Sequence, residues 1–209
     1  MSFRLGRPAL YLITRGELTP ANFHTRKSEV LDAISVAVQE KVELVQVREK
    51  LIDTRRLFSL VRDARSITQG SRTRLLVNDR ADVAAAAAAD GVHLTSTSIP
   101  ASVIKKNFSE LIIGVSTHTA DEVNAARSNG ADFALFGPIF ETPGKGEPAG
   151  INVLGDICAA AHEFPVLAIG GIDETNFQDV LEAGAAGFAA IRSLNDPGRL
   201  RAMARSLKK

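Results

Sequence analysis

The sequence predicts a (β/α)8 barrel, a single domain over residues 1–209. Two observations carry this. Eight short aliphatic runs alternate with eight longer stretches of helical character. Most of the runs are apolar throughout rather than alternating, as parallel strands covered on both faces require. The length is near the lower limit for such a barrel. A doubly wound open sheet is the alternative, but no Gly-rich dinucleotide fingerprint follows the first run.

The strand candidates in order are ALYLIT (9–14), VELVQV (42–47), RLLVN (74–78), GVHL (91–94), LIIGVS (111–116), DFALFG (132–137), PVLAIG (165–170) and GFAAIR (187–192). Amphipathic stretches lie between them, including SEVLDAISVAVQE, TRRLFSLVRDARSI, ADEVNAARSNG and ETNFQDVLEAG. Gly130 and Gly184 close two of these in positions suited to left-handed caps. The alanine run Ala84–Ala89 is a strong helix former expected to pack closely on the barrel. A weak echo recurs in AAADGVHL, SNGADFALF and EAGAAGFAAI: a helix end, a small-residue turn and a buried strand. The tail RAMARSLKK reads as a last helix with cations at its C-terminal end.

Composition narrows the function. Lys and Arg number 25 against 24 Asp and Glu, a net charge of +1. A nucleic-acid or membrane-surface protein usually carries a large one-signed excess, so neither partner is expected. One cysteine, Cys158, excludes an internal disulfide framework and a Cys-based zinc cluster, and in its apolar run it reads as a small buried hydrophobe. The N-terminus lacks the apolar core of a signal peptide, and no run approaches a membrane span; a cytoplasmic location is expected.

A barrel's active site lies at the carboxyl ends of its strands, and polar residues gather there. The second strand ends in Gln46, Arg48 and Lys50, alternate residues on one face, suited to a phosphate or diphosphate. The third ends in Asn78 and Asp79; Asp79 is either a magnesium ligand or a cap for the following helix. The fifth brings Ser116 and His118, the latter a candidate acid or base. The Gly- and Pro-rich loop after the sixth holds Thr142 and Lys145 and reads as a flap that carries Lys145 to a phosphate. After the seventh, Gly170 and Gly171 offer bare backbone N–H groups to an anion, and Arg192 and Ser193 follow the eighth. His24 and His162 read as surface residues, and His93 as a packed strand histidine.

In order and spacing, LYLIT, QVREK, VNDRADVA, ADGVHL, GVSTHTADEV, GADFALFGPIFET, AIGGI and AGAAGFAAI resemble the thiamine-phosphate synthase and thiazole tautomerase (TenI) superfamily. The resemblance implies a thiazole-phosphate ligand in thiamine biosynthesis and a homodimer. Synthases in this superfamily join a pyrimidine diphosphate to thiazole phosphate, with Mg²⁺ on the Asp of the N-D pair, here Asp79, and on a second Asp after the fourth strand. Here Ser98 stands at that second position, Thr95 and Ser96 replace Gly and Gln, Gly144 replaces a threonine, and Arg192 replaces a small serine. The uncharged TSTS segment (95–98) is similar to the tautomerase branch.

The resemblance therefore implies, first, a tautomerase without cofactor, with His118, Lys145 and Ser116 as catalytic residues. The synthase, with Asp79-bound Mg²⁺, is the alternative. A ligand-binding relative without chemistry is the third reading.

Overall fold

The computed structural model describes residues 4–6 and 8–207. Eight strands run in chain order: β1 (Ala9–Ile13), β2 (Leu44–Val47), β3 (Arg74–Asn78), β4 (Gly91–Leu94), β5 (Ile112–Thr117), β6 (Phe133–Phe136), β7 (Val166–Ile169) and β8 (Gly187–Ala190). Each is followed by a helix: α1 (Phe23–Gln39), α2 (Thr54–Thr68), α3 (Ala81–Ala86), α4 (Ala101–Asn107), α5 (Ala120–Ser128), α6 (Gly150–Ala161), α7 (Phe177–Glu182) and α8 (Pro197–Ser206). Every strand pairs in parallel with its sequence neighbours, and β8 closes on β1 with Ala9 opposite Gly187. The expected barrel is the fold. None of the described helices is long and apolar enough to cross a membrane.

Element ends differ from the sequence expectation for local reasons. Thr19 and Asn22 bond each other's backbone, and Asn22 carbonyl oxygen starts the helix, so α1 begins before Ser28. At its other end Lys41 takes a left-handed turn and Val42 N–H bonds Ala37 oxygen. Val42 therefore belongs to the helix cap, and β2 starts two residues later than expected. The alanine run is a correction: α3 stops at Ala86, and Ala88 adopts a positive φ of 53°. Ala89 N–H bonds back to Ala84 oxygen, which turns the chain into β4, so tertiary connection overrides helix propensity. Cys158 is a second correction: it is only partly buried, packed against the edge of the core on α6. Gly130 and Gly184 have the expected positive φ, 81° and 93°. His24 and His162 are exposed. The tail enters α8, whose last turn carries Arg205, while Lys208 and Lys209 lie outside the described residues.

Side-chain alternation divides the apolar residues into two bodies. Ala9, Tyr11, Ile13, Leu44, Leu76, Phe133, Leu135, Leu167 and Ala189 fill the barrel interior. The intervening strand residues, such as Val45, Val77, Val92 and Phe188, pack outward under the helices. The echo noticed in the sequence also has a physical role. Asp90, just before β4, accepts the Leu75 N–H, and Asp132, just before β6, accepts the Ile113 N–H, each at 2.8 Å. These carboxylates tie neighbouring strands together at the end opposite the mouth, and Asp90 also pairs with Arg65 and Arg74.

Phe133 is fully buried at the centre of the interior cluster and meets the Tyr11 ring edge-on. Phe133→Ala should destabilise the protein by about 3–5 kcal/mol in urea unfolding. A loss below about 1 kcal/mol would mean that the interior collapses around the missing ring.

Candidate active site at the barrel mouth

The carboxyl ends of the strands surround a cavity of about 900 Å³. Its floor follows from strand alternation. On β2 to β5 the last inward residues are Gln46, Asn78, His93 and Ser116, all polar. On β6, β7, β8 and β1 they are Leu135, Ile169, Ala189 and Ile13, all apolar. One half of the floor thus offers hydrogen bonds and the other half offers only contact. Gln46 Nε2 donates to Asn78 Oδ1 at 3.2 Å, which fixes two of the polar groups against each other.

His93 is 2% exposed, with Nδ1 3.1 Å from Tyr11 Oη and Nε2 2.9 Å from Ser116 Oγ. Burial, then the nearby Arg48 charge, lowers its pKa to about 3, so the ring is neutral at ordinary pH. Burial likewise pushes the Tyr11 hydroxyl upward. Gly114 provides the room: a Cβ there would lie 2.3 Å from the Phe133 ring and 2.8 Å from His93 Nδ1.

The rim above the polar half is cationic. Arg48, Lys50 and Lys145 all line the cavity. The Lys50 pKa is lowered by partial desolvation and then by Arg48, with a further push from Lys145 and opposition from Asp79. Three cations and one carboxylate therefore share one field. Asp79 caps no helix: the N-cap of α3 is Arg80, and Asp79 sits at a φ of 60° with its amide bonded to His93 oxygen. A non-glycine residue in the left-handed region is uncommon and collects at functional sites. Asp79 stands at the rim rather than in the cavity lining. Among the described residues no three Asp, Glu, His or Cys side chains converge as a metal site.

The expected catalytic residues lie together. His118 and Ser116 line the cavity with Lys145. His118 is exposed; its backbone N–H donates to Glu122 and its Nδ1 lies 2.5 Å from the Gly137 carbonyl oxygen. That oxygen can only accept, so Nδ1 donates to it, and in the neutral tautomer Nε2 is the nitrogen with the lone pair. The loop bearing Thr142 and Lys145 is anchored at its base. Ile139 and Phe140 N–H bond Ile169 and Gly170 oxygens, and Ala149 and Gly150 N–H bond Pro138 and Ile139 oxygens. Thr142 Oγ1 donates to Phe140 oxygen.

That anchoring explains the glycines after β7. Gly170 has a φ of 105°, and a Cβ there would lie 2.6 Å from Pro138. Gly171 has a φ of 65° and faces Phe140 and Glu141 equally closely. Both are required by backbone conformation and by close approach of the β6 loop, besides lining the cavity. Arg192 is exposed at the cavity wall, while the Ser193 hydroxyl is buried and donates to Ile172 oxygen. Ser193 can therefore donate to an anion only through its backbone. Arg199 also reaches the cavity and is paired with Glu174.

The uncharged segment after β4 forms its own turn. Ser98 Oγ accepts the Thr95 N–H at 2.7 Å and lies 3.1 Å from Thr95 Oγ1, while Thr97 Oγ1 is 3.2 Å from Thr95 Oγ1. Thr95, Ser96 and Thr97 line the cavity; Ser98 turns back into the loop.

Two contributors were not apparent as single residues in the sequence. Tyr11 is hidden inside an apolar strand. Glu49 lies between Arg48 and Lys50, and alternation sends its side chain to the other face. There it is 4% exposed and accepts the Gly16 and Leu18 N–H groups, which holds the β1–α1 loop against β2.

A family model described as thiamine monophosphate synthase matches residues 10–194. A Geobacter sulfurreducens protein named "Putative thiamine-phosphate synthase" is 44% identical over 170 residues, 79% of each chain. The thiamine-phosphate synthase of Chloroflexus aurantiacus is 34% identical over 202 residues, 95% of this chain and 90% of that protein. Among solved structures, thiamine phosphate pyrophosphorylase from Pyrococcus furiosus superposes with a TM-score of 0.82 at 30% identity, covering 96% of this chain and 94% of that one.

His93 links the site to stability. Its pKa falls from about 6.5 in an unfolded chain to about 3 in the fold, so below pH 6.5 the unfolded state binds the extra proton. Its contribution is complete above the unfolded pKa and is lost as pH falls toward the folded one. Urea unfolding should therefore weaken by about 1.4 kcal/mol per pH unit from this group on acidification below pH 6.5. His93→Gln should lack that increment; equal slopes for the two proteins would refute a neutral buried His93.

Proposed function

We propose that this chain, which belongs to the thiamine monophosphate synthase family, joins a pyrimidine methyl diphosphate to a thiazole phosphate and releases pyrophosphate. The observation that supports this most is the convergence of Arg48, Lys50 and Lys145 at one rim of the cavity, in a field shared with Asp79. A diphosphate suits three cations and one carboxylate, because charge developing on the leaving group is stabilised by groups already in place. The polar floor of Gln46, Asn78 and Ser116 then faces the hydrogen-bonding edge of a pyrimidine, and Thr95 to Thr97 form an uncharged wall beside it. The thiazole phosphate would sit across the cavity, on the backbone of Gly170, Gly171 and Ser193, with Arg192 alongside and Thr142 in the loop above. In the reaction the thiazole nitrogen forms a bond to the exocyclic methylene carbon. The carbon–oxygen bond to the diphosphate breaks and its electron pair leaves with pyrophosphate.

Mg²⁺ fits this site as a one-carboxylate ion. Asp79 is exposed and free of cap duty, while Ser98 supplies no charge and is turned away. Mg²⁺ commonly takes one or two carboxylates and completes its shell with substrate phosphate oxygens and water. Held by Asp79, it would neutralise charge on the departing diphosphate.

A second reading, thiazole tautomerase, draws on two observations: the missing carboxylate at Ser98 and the place of His118 in the cavity lining, with Nδ1 held by the Gly137 oxygen. On that reading His118 moves a proton on a carboxythiazole phosphate, and no metal is needed.

Purified protein given the pyrimidine diphosphate, thiazole phosphate and Mg²⁺ should release pyrophosphate only with both substrates, and EDTA should abolish the release. Asp79→Asn should lower the rate by at least about tenfold, in keeping with the loss of a charge that stabilises a leaving anion. Release unaffected by EDTA would overturn the metal-assisted route. No release, together with turnover of the carboxythiazole that His118→Asn removes, would establish the tautomerase instead. Tight thiazole-phosphate binding with neither turnover would mark a binding protein.

A further inference from the structure

We infer that Tyr11 and His93 form a one-directional hydrogen-bond relay that leaves the Ser116 hydroxyl hydrogen free to donate toward whatever occupies the cavity. Three buried or half-buried groups from three strands make the chain: Tyr11 on β1, His93 on β4 and Ser116 on β5. Its direction follows from elimination. The Tyr11 side chain is fully buried, and its hydroxyl has one hydrogen-bond partner among the described residues, His93 Nδ1. A phenol in that position either donates its proton to Nδ1 or leaves the proton unpaired in an apolar core. The second arrangement is costly, because a buried donor left unpaired loses the hydrogen bond that it makes with water in the unfolded chain.

If Nδ1 accepts from Tyr11, the neutral imidazole carries its proton on Nε2. Nε2–H then donates to Ser116 Oγ at 2.9 Å. Ser116 Oγ thus accepts from behind, and its own hydrogen is left for the cavity that it lines. His93 is packed beside the Tyr11 and Phe133 rings, which resists rotation of the imidazole. Among the described residues no carboxylate is hydrogen-bonded to the ring, whose two nitrogens face Tyr11 and Ser116, so none of them stabilises an imidazolium that would donate from both nitrogens.

The consequence is specificity. Ser116 offers its hydrogen to a ligand atom with a lone pair, such as an unprotonated ring nitrogen or a phosphate oxygen. Which atom it meets depends on the coupling chemistry proposed above; the direction of the relay does not. Tyr11 and His93 are positioning residues in this scheme, since neither need touch the ligand.

Nitrogen-15 NMR of the full chain with labelled histidine tests the direction without any substrate. The His93 signals are identified as those missing from His93→Gln. In the unsubstituted protein, Nε2 should carry the proton and Nδ1 should show the shift of a hydrogen-bonded, unprotonated nitrogen. A proton on Nδ1 would overturn the relay.

In Tyr11→Phe the donor is gone, and the Nδ1 signal should move toward that of a free imidazole or a mixture of tautomers. An unchanged signal would also overturn the relay. Steady-state kinetics provide a second reading. Tyr11→Phe should lower kcat/KM by about three- to tenfold, the scale of one neutral hydrogen bond. Combined with Ser116→Ala, it should add almost nothing to the loss from Ser116→Ala alone. Full additivity would show that Tyr11 acts through packing. If the protein failed to turn over either substrate pair, the NMR result would still decide the relay, while the functional reading alone would fall.

Discussion

Closing eight parallel strands leaves a space that every second residue must fill. That constraint organises the rest of the molecule. Tyr11, Phe133, Leu44 and Leu167 fill the middle of the barrel, and one step further along each strand the next inward residue becomes floor. Because the side-chain period is two, Gln46, Asn78, His93 and Ser116 reach the cavity by the same rule that buries Leu44, Leu76 and Ile112 below them. The site is the top layer of the core with different chemistry. Its polar members are held by one another and by Tyr11 beneath them: Gln46 bonds Asn78, and His93 bonds Tyr11 and Ser116.

Charge is added only above that floor, where water can reach it. Arg48, Lys50 and Lys145 stand at the rim, and among the described residues no carboxylate belongs to the floor. This separation lets the neutral imidazole of His93 lie near Arg48 without becoming a cation. A carboxylate in the floor would have favoured the charged imidazole and blurred which nitrogen holds the proton. On the far side, the β6 loop rests on Gly170 and Gly171, so two glycines of the cavity lining also serve as bearing surfaces for Pro138 and Phe140.

Much of this is legible in the sequence, for physical reasons. The eight strands show because parallel strands covered on both faces cannot alternate, and the mouth residues show because they end those strands. Arg48, Lys50, Ser116, His118 and Lys145 do converge on one cavity. Local hydrogen bonds were less visible. Ser193 spends its hydroxyl on Ile172, and Asp79 takes a left-handed backbone instead of capping α3. The helix end at Ala86 was hidden because propensity says where a helix can run, not where the next strand must start. Tyr11 looks like any other apolar residue of its strand, since its one polar partner lies 82 positions away. The balance between synthase and tautomerase also shifted: the segment after β4 suggests one branch, whereas the named relatives and the cationic rim favour the other.

Asp90 and Asp132 brace the barrel at the end remote from the cavity, and Ser98 and Thr95 complete their hydrogen bonds within a self-contained turn. A substitution confined to that turn would disturb the turn's own hydrogen bonds and none of the strand pairings. The chemistry of this part of the cavity wall is therefore separable from the closure of the barrel.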